Sequence, residues 1–193
     1  MSAEQSPQLP IYAPSPTGAL RQGEIVAHIT QPRIRQDTLF GSEPIIVYEQ
    51  HPYSIVVTQD CDLDQDYKAR QGQVNPDKAL PNILFCQMIT AQELRGRQEI
   101  NSTIWTQVKI NKHERYHFFQ KIAVEQDALQ EGLPELGVDF KRYFTLPTDE
   151  VYQRLQSEAQ RRCRLVSPYL EHFSARFAYY QFRVALPQEH FSE

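Results

Sequence analysis

Cysteine is scarce in this chain. Its 193 residues include three, Cys61, Cys86 and Cys163, which lie far apart. An odd, scattered set argues against a disulfide scaffold and against paired-cysteine zinc binding. Basic excess is also absent. The formal charge is −4 at pH 7, so no global positive field draws the molecule to nucleic acid or to a membrane. Any nucleic-acid contact would have to be a local patch. No stretch approaches the roughly 20 apolar residues that span a bilayer, and the start, MSAEQSPQLP, lacks the basic and apolar regions of a signal peptide. There are no repeats. These absences leave the cytoplasm as the expected location, with no membrane partner.

What is present is ordinary globular composition, 40% hydrophobic and 23% charged. A chain of this length fits one domain. Residues 1–20 carry Pro7, Pro10, Pro14 and Pro16 and read as an irregular arm, with Ile11 and Tyr12 as points of attachment. Residues 21–187 read as a single domain and 188–193 as a tail.

Within the domain, Glu24 to Thr30 alternates apolar and polar residues, the pattern of a half-buried strand with Ile25, Ala27 and Ile29 on one face. Gln31 to Ser42 reads as a loop. Ile45 to Val47 and Tyr53 to Thr58 read as two strands joined by a turn at His51-Pro52, because the residue before proline is pushed out of helical geometry. Residues 64–81 are polar and read as a long loop, and Asn82 to Ile89 as a strand. Thr90 and Glu93 form a capping box that predicts a short helix from Ala91. Ser102 to Asn111 reads as a helix, Arg115 to Phe119 and Asp139 to Leu146 as strands, and Thr148 as the start of another helix. The last helix is the clearest. Ser167 and Pro168 resemble a capped start, and Leu170, Phe173, Phe177, Tyr180 and Val184 form one apolar stripe. Short strands broken by helices, with one helix closing the chain, predict a mainly β fold with helices. The leading form is a small SH3-like barrel plus a long C-terminal helix. The alternative is an α+β sheet with its helices on one face.

Three clusters carry candidate chemistry. The first is the Asp-rich run from Thr58 to Asp66, directly after the most apolar strand. Asp60, Asp62 and Asp64 have the 1-3-5 spacing of a calcium loop, but Gln65 and Gln71 stand where the loop needs Gly and Glu. Cys61 could serve as a nucleophile in a Cys-dependent hydrolase, although flanking carboxylates oppose thiolate formation. Asp60 or Asp62 could anchor a substrate or act as a base, or the run could be a turn in which aspartates cap backbone amides. The second cluster is His113, Arg115 and His117, which share one face if the segment is a strand. Two imidazoles and a guanidinium there suit phosphate or proton transfer on RNA. At about 13 Å apart on a strand, the two histidines could not share a metal ion. The third is a band of His172, Arg176, Tyr179 and Arg183 on the last helix, with Arg161, Arg162 and Arg164 upstream; it would suit a nucleic-acid backbone or an ordinary solvated face. Nothing in these clusters implies a metal or an organic cofactor.

Gly23-Glu24-Ile25-Val26 resembles the G-D-I-V opening of the MazF/PemK-like toxins. Gly41-Ser42-Glu43 sits where that family often has Gly-x-Glu, and His51 to Thr58 resembles its Arg-Pro-x-V-V-x-Ser stretch. The chain also resembles a bacterial group marked by TQ-x-CDL, here Thr58 to Leu63. The resemblance implies an SH3-like barrel and a place in a toxin–antitoxin or defence-type system, with a protein partner of antitoxin type. Two departures matter: His51 replaces the family's Arg, and Thr58 its Ser. Two functions follow as expectations. One is a protein-interaction module. Its surface would come from the apolar side chains of residues 102–119 and the last helix, and homodimerisation is an option. The other is a metal-independent endoribonuclease, with His51 as base, Thr58 and Asp60 as positioning groups and Arg33, Arg35 or Arg115 on phosphate.

Overall fold

The computed structural model describes residues 10–40 and 43–182. The first nine residues of the arm (with Pro7), Gly41, Ser42, Arg183, Val184 and the 188–193 tail, named above, lie outside the described residues.

One antiparallel sheet of seven strands organises the chain, in the order β1-β7-β2-β3-β4-β6-β5. The strands are β1 (Tyr12–Pro14), β2 (Glu24–Ile34), β3 (Ile46–Val56), β4 (Asn82–Thr90), β5 (Tyr116–Phe119), β6 (Leu136–Pro147) and β7 (Gln160–Leu165). Five α-helices join them: α1 (Asp60–Arg70), α2 (Ala91–Arg95), α3 (Ser102–Lys109), α4 (Thr148–Ser157) and α5 (Tyr169–Gln181). The ladder ends at β1 on one side and β5 on the other, so the sheet is open. Side chains link the two ends. The Tyr12 hydroxyl donates to the Gln120 carbonyl at 3.1 Å, and Gln126 Nε2 donates to the Tyr12 carbonyl at 3.4 Å.

The period-two rule explains why the centre of the sheet is buried on both faces. Ile25, Ile55 and Cys86 belong to one core cluster with Phe140 and, from α5, Phe173 and Tyr180. Their neighbours Val26, Val56 and Phe85 belong to a second cluster with Leu63 of α1 and Val151 of α4. A third, smaller core joins α2 and α3 to Tyr116. The helices therefore cover both faces, which corrects the one-sided alternative.

Several expected elements are present: β4, the capping box of α2, and helices at α3 and α4. Others differ for identifiable reasons. The Asp-rich run from Asp60 and the first part of the expected 64–81 loop, as far as Arg70, form α1. Acidic residues in its first turn and Lys68 and Arg70 in its last complement the helix dipole, and Asp64–Lys68 and Asp66–Arg70 pair at i, i+4. His51-Pro52 is not a turn. β3 runs straight through it, because Pro52 lies where the strand needs no donated bond from it. β2 continues to Ile34, so the predicted loop at 31–34 is strand. Ile25 and Ile29 fall in opposite clusters, because His28 has a φ of 60° and turns the strand over. Ser167 makes no cap; α5 begins at Tyr169 with no side-chain hydrogen bond at its start.

The arm is partly structured as well. Tyr12–Pro14 pairs with β7, and Leu20 is fully buried. The arginines ahead of α5 are strand residues, and two of them are held by carboxylates. Arg161 grips buried Glu24, and Arg162 makes a two-bond pair with buried Asp127 at 2.9 and 2.6 Å.

Candidate functional site

The proposed acid–base residues do not converge. Thr58 Oγ1 accepts the Leu84 amide at 2.8 Å and ties the end of β3 to β4. Asp60 sits in the first turn of α1, where one oxygen accepts the Gln22 amide at 2.7 Å and the other faces Arg21 at 3.1 Å. Asp60 and Arg21 thus anchor the approach to β2. Asp62 and Cys61 are exposed beside it, with the thiol 3.5 Å from an Asp62 oxygen.

His51 lies at the middle of β3. The five steps from His51 to Val56 alone span about 17 Å of strand. His51 is buried, stacked on Phe144 at 4.2 Å between ring centroids, with Nε2 3.2 Å from Gln31 Oε1. Its Nδ1 has no hydrogen-bond partner among the described residues, and burial lowers its pKa, with Glu49 opposing. This ring is a neutral core side chain, and the grouping of His51 with Asp60 is corrected.

The expected phosphate ligands divide likewise. Arg33 pairs with Glu49, and Arg35 with Asp37, both on the exposed β2–β3 hairpin. Arg115 clamps buried Asp139 with bonds of 2.8 and 2.6 Å, and Arg97 adds a third at 2.9 Å. Burial acts to raise the pKa of Asp139, but the hydrogen bonds from Arg115 and from the Lys141 amide outweigh it and hold the carboxyl below its ordinary range. Arg115 is therefore committed to a structural ion pair and does not face the same space as His113 and His117.

Three of the predicted residues do come together. Arg176 of α5 donates to His117 Nδ1 at 3.2 Å and to the carbonyls of His113 and Tyr116 at 2.6 and 2.8 Å, and it also bonds the Asn111 carbonyl. Those carbonyls follow the end of α3, where a guanidinium is favoured. His172, one turn before Arg176, brings its ring within 5.6 Å of His117. Burial lowers the pKa of His117 far below the ordinary histidine value, and nearby Arg176 adds to the shift. Among the described residues, no group of three or more His, Cys, Asp or Glu side chains is placed to hold a metal ion.

The most unusual surface was not expected. Beyond Ala27 and Tyr53, β2 pairs only with β3, since the β7 ladder ends at Ala27 and the β4 ladder begins at Tyr53. Residues 29–34 and 46–51 therefore form a two-stranded ribbon that leaves the sheet with both edges open. Seven of the fourteen exposed large hydrophobic side chains among the described residues lie at 34–48: Ile34, Leu39, Phe40, Ile45, Ile46, Val47 and Tyr48. Phe40 is 96% exposed and Tyr48 68%. The surface expected at 102–119 is largely interior instead. Val108, Tyr116 and Phe119 are buried, and Trp105 nearly so. One signal for the ribbon was available. Ile45-Ile46-Val47 and Ile34 flank a polar turn at similar distances, as hairpin strands do. The proline at 32 masked it.

Compared with known protein families, with curated proteins and with solved structures, the chain matches none.

Proposed function

We infer that this chain is a protein-interaction module. The observation that carries the reading is the apolar ribbon at 34–48. Scattered apolar residues on a surface need no explanation, but a contiguous patch on a ribbon with open edges does. Left uncovered, such edges template unwanted pairing. A protein partner that adds a strand or covers the side chains would satisfy both features.

Within that reading, the open sheet, its two end strands linked by the Tyr12–Gln120 bond, is assigned to the small SH3-like barrels of MazF/PemK-like type. The Gly23-Glu24-Ile25-Val26 opening and the His51–Thr58 stretch support it. The setting is a bacterial toxin–antitoxin or defence system in the cytoplasm, and the partner is a protein of antitoxin type encoded nearby. Endoribonuclease chemistry has weaker support, because His51 is buried and Arg33, Arg35 and Arg115 already hold carboxylates.

Co-expression with the product of the neighbouring reading frame tests this reading. A stable complex that survives size-exclusion chromatography, and is lost in Phe40→Asp/Tyr48→Asp, is the expected result. A complex unaffected by those changes would locate the interface elsewhere. RNA cleavage in EDTA by the isolated chain would favour the enzyme instead.

A further inference from the structure

Where the two edges of the open sheet approach each other, they leave a cavity of about 150 Å³. Ile11 and Tyr12 line it from one edge, His117 to Gln120 from the other, Leu165 from β7, and Tyr169 and His172 of α5 close it. Lys109 and Asn111, at the end of α3, complete the wall. The cavity arises because β1 and β5 do not pair, so side chains rather than a backbone ladder fill the seam.

Its lining is divided by chemistry. Ile11, Phe119, Leu165 and Tyr169 offer apolar and aromatic surface. The lining also includes the Lys109 ammonium and two imidazoles, and no lining residue carries a carboxylate. Lys109 and His172 are exposed and mark the mouth, whereas His117 is 4% exposed and lies within. His117 Nδ1 accepts from Arg176, so a neutral ring carries its proton on Nε2, where it makes no hydrogen bond to another described residue. That N–H is a donor that an oxygen of a bound molecule could accept.

We propose that this seam cavity binds a small aromatic anion, with its ring between the apolar walls and its acid group at the mouth on Lys109 and His172. An engineered apolar cavity of about 150 Å³ is known to accept a benzene-sized ring. The Lys109 ammonium at the rim, with no acidic lining, selects for negative charge, and charge-assisted hydrogen bonds are about twice as strong as neutral ones; His172, whose pKa is lowered by burial and by Arg176, adds a neutral donor. The shared chemistry is a planar apolar body with one carboxylate or phosphate. This site is separate from the ribbon, and the inference stands whether or not the ribbon binds a partner.

The molecule carries its own reporter. Trp105 is the single tryptophan, and its ring meets Phe118 of the cavity wall edge-on at 6.0 Å. The full-length chain is titrated with benzoate, phenyl phosphate, benzyl alcohol and inorganic phosphate, with Trp105 emission as readout. Saturable change with benzoate or phenyl phosphate is expected, and whichever acts at lower concentration names the headgroup. Benzyl alcohol and inorganic phosphate should be weaker by about tenfold or more, equivalent to about 1.4 kcal/mol. Lys109→Ala/His172→Ala, both at exposed positions, should weaken the anions about tenfold and leave benzyl alcohol unchanged. Ile11→Phe, which fills the space, should abolish the response. Equal response to charged and neutral rings, a response untouched by the double variant, or no response to any of the four compounds would overturn the proposal.

Discussion

At the residue scale, the buried charges are structural and fully engaged. Asp127 takes two bonds from Arg162 and three from the amides of Leu129, Glu131 and Gly132. Removing one partner of a buried pair strands the other. Asp127→Ala should therefore cost about 3–5 kcal/mol, read as a shift in the urea midpoint. His51 makes the opposite case. Its ring already stacks on Phe144 and leaves one nitrogen unsatisfied. His51→Phe should stay within about 1 kcal/mol of wild type at pH 8, because it removes an unpaired buried polar atom while keeping the packing. The cysteines separate by burial. Cys61 is exposed, whereas burial pushes the thiols of Cys86 and Cys163 well above the ordinary range. A thiol-reactive chromophore should titrate one thiol per native chain and three after unfolding; three in the native state would contradict the described cores.

At the element scale, the β2–β3 ribbon is anchored to the core by Ile29 and His51 and is nearly independent of it beyond them. Its outer half pairs only with itself, and its large side chains face solvent. Phe40→Asp/Tyr48→Asp should thus change stability by no more than about 0.5 kcal/mol per site, measured by thermal melting, while removing partner binding. The ribbon also shows where sequence patterning stops being informative. Alternation identified β2 as far as Thr30, where its apolar side chains enter the two cores. Beyond His28 the left-handed backbone reverses the phase, and past Thr30 neither face is buried, so no alternation was imposed on Gln31 to Ile34. The helix α1 was missed for a related reason. Leu63 is its one buried apolar side chain, and ion pairs and the dipole hold the rest, so it carries no apolar stripe to detect. By contrast α5 was legible because Phe173 and Tyr180 are buried in the main core and Phe177 packs against it at helical spacing.

At the scale of the whole molecule, the candidate clusters were visible as residue types but not as neighbours. His113, His117 and Arg176 were recognised separately, and their junction depends on α5 folding back over β5, a contact between residues about 60 apart in sequence that local pattern cannot encode. Burial also sets the molecule's response to pH. His51 and His117 have folded-state pKa values lowered by burial, and the carboxyls of Asp127 and Asp139, despite burial, are held low by their arginines. For each of these groups the unfolded chain binds more protons, so stability is present above the unfolded pKa and is lost as pH falls. The histidine contribution should begin to fade below about pH 6.5 and the aspartate contribution below about pH 4. The urea midpoint should hold steady from pH 8 to pH 7 and drop at pH 5, and the drop should be smaller in His51→Phe.

The ribbon's role can be read directly by hydrogen–deuterium exchange of the chain alone and in complex with the product of the neighbouring reading frame. Slowed exchange concentrated in residues 29–34 and 46–51, with Phe40→Asp/Tyr48→Asp abolishing it, is the predicted result. A complex in which those amides exchange as fast as in the free chain would contradict the account.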